Sequence, residues 1–250
     1  MSLTILSHFY NEEYLLPWWL KHHREIADHG ILIDYASTDH SVEIIRECCP
    51  TWEIIPSRNE FFGAAECDAE VMDIEKRVSG YKIALNTTEF LYCDPDFPLD
   101  FPLAASIQSV VMVDKEPTER ALRGMPLDWQ CHTGYFTHDV APVSTATWGR
   151  DRIIHRLDHG AYLPGRHASH LDVAPCPTDA LILWYGFAPW TPQFRYRKLQ
   201  IQQRMSEYDR IHGYGIQHVI GDVGLNEAWE TAKPWAYDLR TDVRYRRVVG

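Results

Sequence analysis

The sequence predicts an α/β fold: a mostly parallel sheet flanked by helices, followed by an irregular, loop-rich C-terminal half. Three observations carry that expectation. Short apolar runs alternate with segments of helical periodicity over residues 1–92. Each apolar run ends in a polar cluster, as strands do at the carboxyl edge of a parallel sheet. After Cys93 the periodicity loosens, and Gly, Pro, His and aromatic residues accumulate.

The elements follow in order. TILSHFY (4–10) reads as a short buried strand. Asn11 is placed to cap the next helix, and Glu12 and Glu13 then fall in its first turn, where the dipole favours acids. Leu15, Leu16, Trp19, Leu20, His23 and Ile26 recur at helical spacing; Pro17 is tolerated near a helix start, and Gly30 stops the helix. ILIDY (31–35) is the second strand, and Ser37, Thr38 or Asp39 can cap the helix SVEIIREC (41–48). WEIIP (52–56) is the third strand, 63–78 a helix, and YKIAL (81–85) the fourth strand. Strands separated by helices make a doubly wound, Rossmann-like sheet. Beyond it, DPDFPLDFPL (94–103) reads as an exposed loop, 106–114 as one more strand, and 115–180 as functional loop structure. Residues 191–212 read as one capped, amphipathic helix, and 221–250 as a polar tail over the surface.

Composition narrows the function. At 250 residues with 45% hydrophobic and 24% charged content, the chain is an ordinary globular protein. Its net charge of −11 argues against a nucleic-acid partner, which calls for a basic face. Six cysteines without a CxxC pair are expected to be free thiols in a reducing compartment, so a cytoplasmic protein, able to work at the inner membrane surface, is the expectation. No apolar run approaches the roughly 20 residues that span a bilayer. GxGxxG, GxxxxGK[ST] and GxSxG are all missing, which sets aside the common dinucleotide, P-loop and hydrolase sites.

The four strand ends deliver YNEE (10–13), DYASTD (34–39), PSRNE (56–60) and NTTEF (86–90). Helix capping explains Asn11 and Ser37. It explains Asp34 and Glu89 less well, because neither begins a helix. Arg58, at the end of the third strand, can reach a phosphate or a sugar, or form a surface ion pair.

NEEYLLPWWLKHH, then DYASTD, then a strand running into TEF resembles the family 2 glycosyltransferases and their relatives with a glycosyltransferase type A fold. The resemblance covers roughly residues 4–92 and continues weakly through YLPGRH (162–167) and LWYGFAPWTPQFRYRK (183–198). It implies one domain over 1–250: a nucleotide-binding half (1–92), an acceptor-side half (93–220) and a tail (221–250). It implies a sugar moved from a nucleotide-diphosphate donor to a saccharide or glycoconjugate acceptor, with inversion, assisted by Mn²⁺ or Mg²⁺. Tyr10, Asn11, Asp34, Ser37, Arg58 and Asn86 would hold the donor. Where relatives carry D-x-D this chain has Asn86-Thr87-Thr88, so the metal would fall to Glu89, with His167. The general base would be a carboxylate among Asp128, Asp139, Asp151 and Asp158; Asp139 is favoured because it falls in a loop.

Two rival readings stand beside this one. A neutral Asn86 fits a nucleotide-sugar-binding protein that has lost catalysis. The spacings His155/His159 and His167/His170 fit a zinc hydrolase only if a continuous helix carries them, and Gly160, Pro164 and Gly165 oppose that helix.

Overall fold

A computed structural model describes residues 2–93, 103–116, 131–140, 150–215 and 218–250. The loop expected at 94–103 lies almost wholly outside the described residues, and Asp128 lies outside them entirely.

The first half follows the expected alternation. Strands β1 (Leu3–Phe9), β2 (His29–Asp34), β3 (Glu53–Pro56) and β4 (Tyr81–Ala84) alternate with helices α1 (Leu16–His23), α2 (Ser41–Cys48) and α3 (Ala64–Glu75). β1 pairs in parallel with β2 and β4, and β2 with β3. Successive side chains on a strand point to opposite faces, and the core divides accordingly. Ile5, Leu32 and Ile83 pack with Leu16, Trp19, Leu20 and Ile45 of α1 and α2. Leu6, Ile31, Ile33 and Ala84 pack with Val71 and Ile74 of α3. Both faces of the parallel quartet are therefore covered, which is why its strands are almost continuously apolar.

α3 buries carboxylates as well as apolar groups: Asp68, Glu70 and Glu75 are all buried. Each has a partner. Asp68 meets Arg166, Glu70 meets His8, and Glu75 meets His155 and the Tyr162 hydroxyl.

Asn11 is not the cap of α1. It sits at φ 50°, and the helix begins at Leu16 with Pro17 in its first turn. The Asn11 side chain instead accepts from the Thr38 amide at 2.7 Å, while the Asn11 amide donates to Ser37 Oγ at 3.1 Å. Asp34 accepts from the Ser37 amide at 2.9 Å, and Asp39 accepts from the Glu13 and Ser41 amides, both at 3.0 Å. These bonds brace the loops after β1 and β2 against each other.

The second half is more regular than its composition predicts. β5 (Glu89–Tyr92), β6 (Ala104–Val113), β7 (Thr133–Phe136), β8 (Arg152–His155), β9 (Cys176–Phe187) and β10 (Tyr237–Asp238) complete a ten-stranded sheet, eight strands of which follow the order β10-β7-β6-β8-β4-β1-β2-β3 while β5 and β9 branch from it. β9 runs parallel to β6 and antiparallel to β5. β7 and β8 are antiparallel neighbours of β6, so the sheet is parallel at its β1–β4 side and mixed beyond it. β5 is pinned from below by α1: Trp19 Nε1 donates to the Glu89 carbonyl at 2.9 Å, and the Leu91 amide donates to His23 Nε2 at 3.1 Å.

The helix expected over 191–212 is broken in two. α4 (Pro192–Leu199) is capped by Thr191, whose hydroxyl accepts from the Phe194 amide. A 3-10 turn and extended Met205 follow, then Ser206 caps α5 (Glu207–His212). Met205 bridges to Phe62, which pulls the chain out of the helix. The tail is not a surface wrap alone. It forms α6 (Gly221–Ala232) and α7 (Val243–Val249), and Trp229 of α6 stacks on Trp190 at 5.5 Å. All six cysteines are free thiols, and no helix among the described residues is long and apolar enough to cross a membrane.

Candidate active site

A cavity of about 220 Å³ opens beyond the carboxyl ends of β1, β2 and β4, where an open parallel sheet places its ligand. Tyr10 and Glu12 reach it from β1, Tyr35 from β2, and Asn86, Thr87 and Thr88 from β4. α3 contributes Cys67 and Asp68; the opposite wall is Arg150, Arg166, His167, Trp184 and Lys198.

The floor is a turn folded onto its own carboxylate. After β4, the Glu89 amide donates to the Asn86 carbonyl at 2.9 Å, and Glu89 Oε2 accepts from the Asn86 amide at 2.8 Å. Arg152 then takes both oxygens of Glu89, Nε to Oε2 at 2.8 Å and Nη2 to Oε1 at 2.5 Å. The two side chains are 1% and 0% exposed. The remaining nitrogen of Arg152, Nη1, donates to the carbonyls of Gly165 and Arg166 and lies 3.1 Å from His167 Nδ1.

Asn86 links this pair to a second one. Its amide nitrogen donates to Glu89 Oε1 at 3.3 Å, and its oxygen accepts from Arg166 Nη2 at 2.8 Å. Arg166 also donates to Asp68 Oδ1 at 2.7 Å, and Asp68 Oδ2 accepts from the Gly165 amide at 2.7 Å. That carboxylate holds a tight turn in which Gly165 and Arg166 both have positive φ, 89° and 61°. An aspartate at position 86 would face Glu89 with a like charge; the amide donates to it instead.

A third pair, Arg197 with Glu12, ties α4 to the end of β1. Gln200 reinforces it, donating to the carbonyls of Tyr10 and Asn11 at 3.2 and 2.7 Å.

Two cations on the wall have no carboxylate partner among the described residues. The Arg150 guanidinium lies 3.8 Å over the Trp184 ring, and its buried Nε has no hydrogen-bond partner. Lys198 Nζ is surrounded by rings, 5.4 Å from Trp184, 5.1 Å from Phe187 and 5.6 Å from Phe194. Ring faces attract cations but do not neutralise them. Burial with little compensation lowers the pKa of Arg150 to about 10. Burial, then Arg197 and Arg150, push the Lys198 ammonium well below its ordinary range. His167 is driven the same way, by burial and then by Arg152, Arg150 and Arg166, so its imidazole is neutral.

Polar atoms at the other end of the cavity also lack partners. His8 Nε2 is 2.8 Å from Glu70, while His8 Nδ1 is buried without a hydrogen bond, as is the Tyr35 hydroxyl. Glu70 is held by Ser57 Oγ, the Arg58 amide and Asn59 Nδ2 as well. Burial opposes its charge, but these donors and His8 bring its pKa down to about 2. An ionised Glu70 makes His8 Nε2 the protonated nitrogen and leaves Nδ1 a free acceptor.

The expected residues are only partly assembled. Tyr10, Asn86 and His167 line the cavity. Asn11, Asp34 and Ser37 do not; they brace the two loops behind it. Arg58 is turned to the surface, where it pairs with Asp73 at 2.7 Å. Asp139 pairs with Arg244 at 2.5 Å, does not line the cavity and is poorly placed as its base. Asp151 accepts from Ser109 and pairs with His138 at 2.7 Å. Glu89 and His167 do come together, but around Arg152, so the expected metal ligands hold a guanidinium instead. A divalent ion does not fit this donor set: both carboxylate oxygens and the imidazole already face arginine nitrogens. The zinc arrangement also fails, because His155 is buried in β8 against Glu75 and Tyr162, and no cluster of three metal-ligating side chains occurs among the described residues.

Arg150, Arg152 and Trp184 escaped the sequence reading, whereas Lys198, at the start of the late helix, was legible as a residue able to close over a diphosphate or as part of a solvated face. The alternation Arg150-Asp151-Arg152 was the available signal, since it directs two guanidiniums to one side of an extended chain.

No protein-family model matches the sequence, and no curated protein matches it significantly. Solved structures with a similar course of chain include the mannosyltransferase PcManGT from Pyrobaculum calidifontis in complex with GDP-Man and Mn²⁺, at 12% identity and TM-score 0.41. That match covers 92% of this chain and 73% of the other. S. aureus TarS matches at 14% identity and TM-score 0.31, covering 50% of this chain and 23% of its own length. A TarS fragment in complex with UDP-GlcNAc matches at 13% identity and TM-score 0.32, covering 50% of this chain and 37% of that one. At these scores the likeness says nothing of what this chain binds, and function rests on its own residues.

Proposed function

We propose that this chain transfers a sugar from a nucleoside-diphosphate donor to a saccharide or glycoconjugate acceptor. The observation that carries the reading is the pair of cations without a carboxylate partner among the described residues beside the Trp184 ring, half-buried Arg150 and buried Lys198, at the sheet's carboxyl rim. A positive charge on Arg150 and an ammonium at Lys198 that an anion would hold in its protonated form suit a diphosphate. They also stabilise the charge that develops as it departs. Tyr10, Tyr35 and Phe62 supply ring surface for a nucleobase, and His8 Nδ1 and the Tyr35 hydroxyl supply one acceptor and one donor. The cavity's carboxylates, Glu12 and Asp68, are each engaged by an arginine, which favours a single displacement with inversion over a carboxylate-bound sugar intermediate.

The test is turnover. The chain is incubated with UDP- and GDP-linked sugars, and release of the nucleoside diphosphate is followed with and without sugar acceptors. Acceptor-stimulated release supports transfer. Failure of every donor to bind or turn over contradicts it.

The engagement of both Asp68 oxygens, by Arg166 and by the Gly165 amide, favours a second reading, a protein that binds the donor without transferring its sugar; in that reading Glu12, whose Oε2 has no hydrogen-bond partner, does not take the acceptor's proton. Tight donor binding without release on any acceptor would single it out.

A further inference from the structure

We propose that the site neutralises a diphosphate with fixed side-chain cations, and that the Arg152 guanidinium permanently occupies the place where a divalent ion would sit. This rests on the reading above and adds how the leaving group's charge is met.

Three observations converge. First, the two oxygens of Glu89 accept four hydrogen bonds, two from Arg152 and two from Asn86. A magnesium or manganese ion binds oxygen lone pairs directly and would have to displace them. Second, His167 lies between two guanidiniums, Nδ1 3.1 Å from Arg152 and Nε2 3.2 Å from Arg150. A neutral imidazole has one lone pair, and an arginine already faces each nitrogen. Third, charge is in surplus where phosphate would bind. Among the described residues, Arg150, Arg152, Arg166, Arg197 and a protonated Lys198 face Glu12, Asp68 and Glu89, a surplus of two positive charges in a protein of net charge −11. A dication added to that surplus meets repulsion, whereas a diphosphate balances it.

The three arginine–carboxylate pairs form the frame, and Arg150 and Lys198 are the working charges. As the acceptor hydroxyl oxygen bonds to the anomeric carbon, the bond from that carbon to the diphosphate oxygen breaks, its electron pair goes to the diphosphate, and the hydroxyl's proton leaves to water. Arg150 and Lys198 hold the charge. The neutral Asn86 belongs to the same design, because it bridges Glu89 to Arg166 without adding an anion.

The full chain is titrated calorimetrically with UDP, GDP and inorganic pyrophosphate, first in EDTA and then in millimolar MnCl₂. The proposal expects nucleotide binding in EDTA, changed by manganese no more than about twofold. A tightening of about tenfold or more with manganese overturns it and leaves the glycosyl-transfer reading standing. No binding of any nucleotide in either condition overturns both. Binding of pyrophosphate alone supports the cation site and removes the nucleotide from the reading. Lys198→Met and Arg150→Met are each expected to weaken binding in EDTA by about tenfold or more. Lys198→Met loses an unpaired buried charge, so it should fold as well as the parent; unchanged affinity in this variant would also overturn the proposal.

Discussion

Arg152 grips Glu89 through both carboxylate oxygens, at 2.8 and 2.5 Å, in a place where neither side chain is more than 1% exposed. The pair joins β8 to the first residue of β5 and fixes the turn after β4 that floors the cavity.

Breaking that pair leaves a buried charge alone. Arg152→Met should therefore cost about 3–5 kcal/mol, read from urea denaturation. Arg152→Met with Glu89→Met should recover much of the loss, because a matched apolar pair carries no unpaired charge. Equal losses in the single and double variants would show that the two residues act independently.

Lys198 acts in the opposite sense. With its folded pKa below the ordinary 10.5, the folded chain binds fewer protons than the unfolded chain between the two values. Stability therefore rises with pH across that interval. Lys198→Met should be more stable than the parent near neutral pH by about 1 kcal/mol or more, with the gap closing as pH approaches 10. Thermal melts of the two proteins over that range measure it.

Glu70 sets an acid limit. Its pKa falls from 4.5 to about 2, so its contribution is complete above pH 4.5 and is lost as pH falls through 2. The shift corresponds to about 3 kcal/mol. Glu70→Gln should flatten the acid limb of the stability profile between about pH 5 and pH 2. It should also free His8, seen as a change in its imidazole titration by NMR.

The unpartnered Tyr35 hydroxyl separates nucleobase from phosphate recognition. Tyr35→Phe should weaken UDP or GDP binding by about tenfold, the worth of one buried hydrogen bond, and leave pyrophosphate binding unchanged. Equal weakening of both ligands would place Tyr35 outside base recognition.

The parallel half of the fold was legible because its information is local. Ile5, Leu6, Ile31, Leu32 and Ile33 lie in short apolar runs, and Leu16, Trp19, Leu20 and His23 repeat at helical spacing. The buried face of α3 was harder to read, since Asp68, Glu70 and Glu75 look like a solvated stripe until Arg166, His8 and His155 are brought to them. β9 was missed for a related reason. Its run from Ala180 to Phe187 is buried throughout and shows no alternation. The site was legible in position but not in chemistry. The strand ends do converge on the cavity, yet Glu89 and His167 gain their meaning from Arg152, whose contact with them depends on β8 entering the sheet beside β4. That pairing spans 63 residues of chain between Glu89 and Arg152 and leaves no local trace.

The most direct test is a crystal structure of the chain grown with UDP or GDP in the presence of EDTA. The account predicts a diphosphate within hydrogen-bond reach of Arg150 and Lys198, with Arg152 still closed on Glu89. A diphosphate bound elsewhere, or manganese soaked into such crystals and seated between Glu89 and His167 with Arg152 displaced, would contradict it.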